Sequence, residues 1–221
     1  MQNISENYHQ LLEQTKNSNV EIIAVSKYAS NTEIIEAYEC GIRNFAESYS
    51  QDATKRIDEL SYLKDIRWHF IGRLQTNKVK NITGNFHLIH SVDSVKLIET
   101  INKESKKKGI TQNVLLQVNV INDTTKAGFS KKEVLNNFQE ITFLENIKVI
   151  GLMTIAPNTL DTNIIKESFC GLNELKTTIN KMFSGNLTEL SMGMTNDYQI
   201  ALECGSTMIR VGKGIFRGVQ I

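Results

Sequence analysis

Residues 20–30 read VEIIAVSKYAS, a run that is apolar through Ile22, Ile23, Ala24 and Val25 and then meets a cation at Lys27. A strand apolar on both faces belongs to a parallel sheet covered on each side. Seven more runs of this kind follow, at 43–46, 67–71, 86–90, 113–120, 147–154, 188–192 and 207–211. Helix-like stretches separate them. Asn31-Thr32-Glu33 offers cap residues ahead of Ile34, Ile35 and Tyr38, and Gly41 is a natural stop. Ser91-Val92-Asp93-Ser94 opens a helix carrying Val95, Ile98 and Ile101. Residues 161–183 place Ile164, Ile165, Phe169, Leu172 and Leu175 at helical spacing.

Eight strands in regular alternation with helices predict an α/β fold, a (β/α)8 TIM barrel. Its main competitor is a doubly wound open sheet. Ile4, Tyr8, Leu11 and Leu12 add one N-terminal helix before the first strand. No linker or low-complexity segment divides the chain, so residues 1–221 are expected to form a single domain.

Composition narrows the function. The 25 basic and 24 acidic residues nearly cancel, which excludes a general nucleic-acid or membrane affinity. The cluster Lys106-Lys107-Lys108 before Gly109 is read as cations at the negative end of a helix. No run approaches the length of a membrane span, and the polar N-terminus has no apolar signal core. Cys40, Cys170 and Cys204 are far apart and odd in number, which predicts free thiols in a reduced, cytoplasmic setting.

A barrel places its site at the C-terminal ends of the strands. Those ends carry Lys27, Glu47-Ser48, Gly72-Arg73, Ser91, Asn119, Thr154, Ser191-Met192-Gly193 and Arg210-Val211-Gly212-Lys213-Gly214. The loops after the last two strands often bind phosphate, and Gly193, Gly212 and Gly214 let backbone amides approach an anion. A lysine amine forms a Schiff base with a carbonyl. Amine and phosphate loops together suggest a phosphorylated aldehyde cofactor, pyridoxal 5'-phosphate (PLP), or a sugar-phosphate aldolase site. His69 reads as a core residue; His87 and His90, three apart on one strand, would face opposite sides and make a poor metal pair, so no metal site is expected.

The chain resembles the PLP homeostasis proteins of the YggS/PROSC type. The matching stretches are AVSK at 24–27, WHFIGRLQTNK at 68–78, LLQVNV at 115–120, GLMTI at 151–155, LSMGMTND at 190–197 and GSTMIRVGKGIF at 205–216. The resemblance implies a barrel like the N-terminal domain of bacterial alanine racemases, with PLP held as a Schiff base on Lys27. It implies that Ser191 and the backbone around Gly212 and Lys213 hold the phosphate and that Arg210 faces the pyridine nitrogen; Met153, at the end of the sixth strand, is placed to pack against the ring. An arginine is a donor only, so a ring nitrogen facing it stays unprotonated and the cofactor is a weaker electron sink. The family lacks the second domain that supplies alanine racemases with a catalytic tyrosine, and none is expected here. The implied work is to bind PLP and manage its supply, without robust enzymatic activity, as a cytoplasmic monomer whose partners are PLP and recipient apo-enzymes.

Four departures stand out, the first being Tyr28-Ala29-Ser30 in place of the usual continuation after Lys27. Ser48 replaces an asparagine expected beside the cofactor, Lys213 stands where a threonine is common, and Arg217 interrupts the usual ending. An active amino-acid racemase is the alternative; it needs a second acid/base opposite Lys27, for which Tyr28 and Tyr198 are the nominees. A barrel scaffold that has lost PLP and binds proteins is the third class.

Overall fold

The computed structural model describes residues 3–123 and 125–218. Helix α1 (Ile4–Thr15) precedes the first strand. Eight βα units follow: β1 (Glu21–Val25) and α2 (Asn31–Glu39), β2 (Asn44–Glu47) and α3 (Ser50–Glu59), β3 (Arg67–Phe70) and α4 (Val79–Ile82), β4 (Leu88–Val92) and α5 (Val95–Lys108). The second half has β5 (Gln112–Gln117) and α6 (Lys131–Thr142), β6 (Ile147–Met153) and α7 (Thr162–Phe183), β7 (Glu189–Met194) and α8 (Tyr198–Glu203), β8 (Met208–Val211) and α9 (Lys213–Phe216). The strands pair in parallel, in chain order, and β8 closes on β1.

The helices start where the side chains can satisfy their first amides. Asn3, Ser30 and Ser130 each form a capping box with Glu6, Glu33 and Glu133. Each such cap is worth about 1 kcal/mol. Lys106, Lys107 and Lys108 lie in the last turn of α5, as expected, and Gly109 ends it in the left-handed region at φ 65°.

Alternation within the strands divides the buried residues into two layers. Ile22, Ala24, Phe45, Trp68, Phe70 and Ile209 point outward into the layer shared with the helices. Ile23, Ala46, Leu88, Leu115, Met153 and Met208 point inward and fill the barrel. Gly151 lets β6 and β7 close up: a Cβ there would sit 2.0 Å from the Glu189 carbonyl oxygen.

Three expectations are corrected. The fourth strand starts at Leu88, not at 86, because Phe86 leaves the sheet to pack edge-on against Phe70 at 5.4 Å. Ser91 and Val92 therefore extend β4, and the cap of α5 is Ser94, which accepts from the Leu97 amide. The fifth strand ends at Gln117, three residues early, where Phe129 returns to donate to the Gln117 carbonyl (2.9 Å). The cysteines are not all free thiols. Helices α7 and α8 pack side by side and bring Cys170 and Cys204 to a Cα separation of 4.8 Å, where they form a disulfide across 34 residues of sequence; Cys40 is free. Among the described residues, no helix is long and apolar enough to cross a membrane.

Candidate functional site at the C-terminal mouth of the barrel

Lys27 lies two residues beyond β1, and the backbone around it is tied down on every side. The Ser26 amide donates to the Ala46 carbonyl (3.0 Å). Arg56, on α3, donates from Nη1 to the Ser26 carbonyl (3.0 Å) and from Nη2 to the Ala29 carbonyl (2.8 Å). Arg217, just after α9, donates from Nη2 to the Tyr28 carbonyl (2.9 Å) and also pairs with Glu33. The Glu47 carboxylate anchors the bracket. It accepts from Arg56 Nη1 (2.5 Å) and from the Ser26 hydroxyl (2.7 Å), and its side chain is 1% exposed. The Lys27 side chain itself is half-buried, with Nζ 5.1 Å from the centroid of the exposed Tyr28 ring. Among the described residues no carboxylate pairs with it.

Sequence reasoning placed Lys27 and missed the bracket. Glu47 was visible as a polar strand end, but nothing in the sequence singles out Arg56. Arg217 was visible only as a departure, and its place in the fold is to fasten the chain after α9 to the turn that carries Lys27.

Arg210 points into the barrel from β8 and is 4% exposed. Nη1 donates to Ser191 Oγ (2.7 Å) and Nη2 to the Thr154 carbonyl (2.9 Å). A guanidinium has five N–H donors, so these two bonds leave others for a ligand. Burial lowers its pKa to about 10, against the opposing pull of Asp197, and it remains a cation at neutral pH. Asp197 follows β7 and accepts from the Met194 amide (2.5 Å); burial holds its carboxyl above the usual range, opposed by that bond, Arg210 and Lys126.

The glycine-rich end of β8 leads straight into α9, capped by Gly212, so the amides of Lys213 and Gly214 lie in a first helical turn. First-turn amides have no acceptor within their own helix. Gly214 N approaches Thr195 Oγ1 of the neighbouring loop at 3.5 Å. Ser191 is not among these groups. It lies three residues inside β7, fully buried, and its hydroxyl is engaged by Arg210 and by His90 Nδ1 (2.8 Å). Arg210 occupies an acceptor site on that hydroxyl, so a phosphate accepting its proton would compete with His90.

The remaining candidates scatter around the mouth. Ser48 follows β2 and lines a cleft with Tyr49, Arg73 and Gln75. Gly72 makes room beside it, since a Cβ at 72 would sit 1.9 Å from the Ser48 carbonyl oxygen. Met153 ends β6 and is wholly buried in the inward layer. Lys126 extends over the carbonyls of Ile155 and Ala156, and burial lowers its pKa. Tyr198, one nominee for an acid/base, is turned away: its hydroxyl bonds to Gln14 on α1 (2.5 Å). His87 and His90, expected on opposite sides, both bring their rings to His69, at centroid distances of 5.6 and 5.2 Å.

The sequence profile of the alanine racemase N-terminal domain family matches residues 1–219. A pyridoxal phosphate homeostasis protein of Synechocystis is 40% identical over 197 residues, covering 89% of this chain and 90% of its own. Another, from Aquifex aeolicus, is 38% identical over 195 residues, covering 88% and 85%. Among solved structures, PipY of Synechococcus elongatus with PLP bound superposes with a TM-score of 0.91 at 34% identity, over 96% of this chain and 99% of that one. An alanine racemase of Clostridium difficile superposes with a TM-score of 0.81 at 14% identity over 57% of its length, a likeness of fold.

Proposed function

The chain belongs to the alanine racemase N-terminal domain family, among its pyridoxal phosphate homeostasis proteins, and we propose that it binds PLP through a Schiff base on Lys27 and manages its supply without turning over a substrate. The observation that carries this reading is the Lys27 amine, half-buried at the barrel mouth on a backbone clamped by Arg56 and Arg217.

The donor set fits the cofactor. PLP offers an aldehyde, a ring nitrogen that accepts hydrogen bonds and a phosphate dianion. Lys27 meets the first, the spare N–H groups of Arg210 the second, and the amides of Lys213 and Gly214 with the Lys213 charge the third. In this reading Thr195 supports the phosphate loop, Ser48 and Met153 border the ring, and Ser191 acts by holding Arg210.

When bound, PLP supplies an electrophilic carbon that captures amines and an electron-withdrawing ring. The chain's own residues restrain the second property. Arg210 offers the ring nitrogen a donor it does not give up, so that nitrogen gains no full positive charge. Proton transfer at a substrate carbon also needs a group on the face opposite Lys27; Tyr198 is committed to Gln14, and the exposed Tyr28 ring lies on the side of Nζ itself, 5.1 Å away. The work that remains is reversible storage of a reactive aldehyde and its delivery to apo-enzymes, by a monomer in the cytoplasm.

Adding PLP to the purified protein should give a visible aldimine band. Borohydride reduction followed by peptide mapping should place the pyridoxyl group on Lys27. Lys27→Ala should give no adduct and melt near the wild-type temperature, because Nζ holds no salt bridge among the described residues. An adduct on another lysine, or none, sinks the assignment. A racemase would exchange the α-hydrogen of alanine for deuterium in a Lys27-dependent way. The storage reading expects no exchange above the Lys27→Ala background.

A further inference from the structure

A barrel interior is ordinarily filled by branched apolar side chains. Here a single file of polar groups crosses it. Glu21 and Arg67, which open β1 and β3, pair at 3.1 Å. Asn44 Nδ2 donates to Glu21 Oε1 (2.9 Å), and Asn44 Oδ1 lies 3.2 Å from His69 Nε2. His69 Nδ1 lies 2.9 Å from His90 Nε2, and His90 Nδ1 lies 2.8 Å from Ser191 Oγ, the atom that receives Arg210. The file runs from the N-terminal floor to the guanidinium beneath the mouth.

Every link in it has one direction. A carboxylate only accepts, so Asn44 turns its NH2 to Glu21 and its oxygen to His69. The Nε2 of His69 must then carry the proton. Burial lowers the pKa of His69 to about 3, helped by His87 and Arg67, so the ring is neutral and its Nδ1 accepts. His90 donates from Nε2. Burial, with His69 and Arg210 beside it, keeps His90 neutral as well, so its Nδ1 accepts from the Ser191 hydroxyl. Ser191 Oγ is left with its lone pairs toward Arg210. Reversing any one link sets two donors or two acceptors face to face.

We propose that Asn44, His69 and His90 are positioning residues for Arg210: by fixing two neutral histidine tautomers they commit the Ser191 proton to His90 and hold the guanidinium at the PLP ring nitrogen. This rests on the reading of Arg210 as the ring-nitrogen partner. It deepens that reading in two ways. It takes Ser191 out of the phosphate site, and it leaves no histidine proton free to pass to the ring.

The tautomers are measurable without PLP. In protein labelled with 15N-histidine, both His69 and His90 should be neutral and protonated on Nε2 between about pH 6 and 8, in keeping with their lowered pKa values. His90 found protonated on Nδ1, or as imidazolium, overturns the proposal. The link to the cofactor is tested by substitution. His90→Phe removes both hydrogen-bonding edges and should shift the absorption band of bound PLP and weaken its binding about tenfold, the worth of roughly one buried hydrogen bond. His90→Gln offers one amide donor and one amide acceptor and should recover most of the loss. Wild-type spectrum and affinity in a folded His90→Phe overturn the positioning role. Should that variant not fold, Ser191→Ala decides. It should weaken PLP and unphosphorylated pyridoxal by the same factor, whereas a loss confined to PLP returns Ser191 to the phosphate and overturns the file. A wild-type protein that takes up no PLP sinks the functional reading, and the coupling to Arg210 with it, whatever the tautomers.

Discussion

Arg56→Ala is expected to cost about 3–5 kcal/mol of stability, the range for leaving one partner of a buried ion pair uncompensated. The reason lies in what the guanidinium holds. Glu47 is 1% exposed, and Arg56, at 17%, is its only cation within salt-bridge distance among the described residues. Without Arg56 the carboxylate keeps the Ser26 hydroxyl and little else. The same substitution removes the side-chain donors to the carbonyls of Ser26 and Ala29, on either side of Lys27. Urea unfolding of Arg56→Ala and of the double variant Arg56→Ala, Glu47→Ala tests this. The double variant should regain part of the loss, because no charge is then stranded. A single-variant loss below about 1 kcal/mol, the level of an exposed pair, would show that the bracket is not structural. Covalent uptake of PLP should also slow in the single variant, since the Lys27 turn loses two of its ties.

Lowering the pH from 7.5 to 5 is expected to remove about 2 kcal/mol through His69, with a further loss of the same sign through His90. In the native barrel the pKa of His69 is lowered to about 3, and that of His90 lies well below 6.5, burial being the largest cause for each. In the unfolded chain both return to the ordinary value near 6.5. Below that value the unfolded state binds protons that the native state refuses, so stability falls as pH falls. For His69 the loss continues until its native pKa of about 3 is reached. At pH 5 His69 contributes about 2 kcal/mol of that loss, and His90 adds to it. Urea unfolding at the two pH values measures the sum. His90→Gln should reduce the pH dependence, whatever it does to stability at pH 7.5. Equal stability of the wild-type protein at both pH values would mean that the histidines are not held neutral.

The fold was legible because its signal is local. Ile22 to Val25, the apolar run at 147–154 and the glycines around Arg210 each report strand, burial or turn within a few residues. The fourth strand slipped because Phe86 has strand-like composition but packs against Phe70 outside the sheet. The site was half legible. Lys27, Arg210 and Gly212 sit where strand ends put them. What sequence left hidden depends on pairs far apart in the chain. His90 meets Ser191 across 101 residues, Tyr198 meets Gln14 across 184, and Cys170 meets Cys204 across 34. Periodicity tells which face a side chain takes, not which partner waits there. Ser191 was counted among the polar strand ends because β7 was ended two residues early, at 192 instead of Met194.

The polar file also bears on how the chain finds its register. A strand that slips by one residue sends all its side chains to the opposite face. In β2, β3 and β4 such a slip would drive Asn44, His69 or His90 among Phe45, Trp68, Phe70 and Ile89, the apolar layer under the helices, with no partner for any of them. Misaligned barrels are thereby penalised at three consecutive strands. An all-aliphatic lumen would tolerate them, being equally greasy on both sides of the sheet.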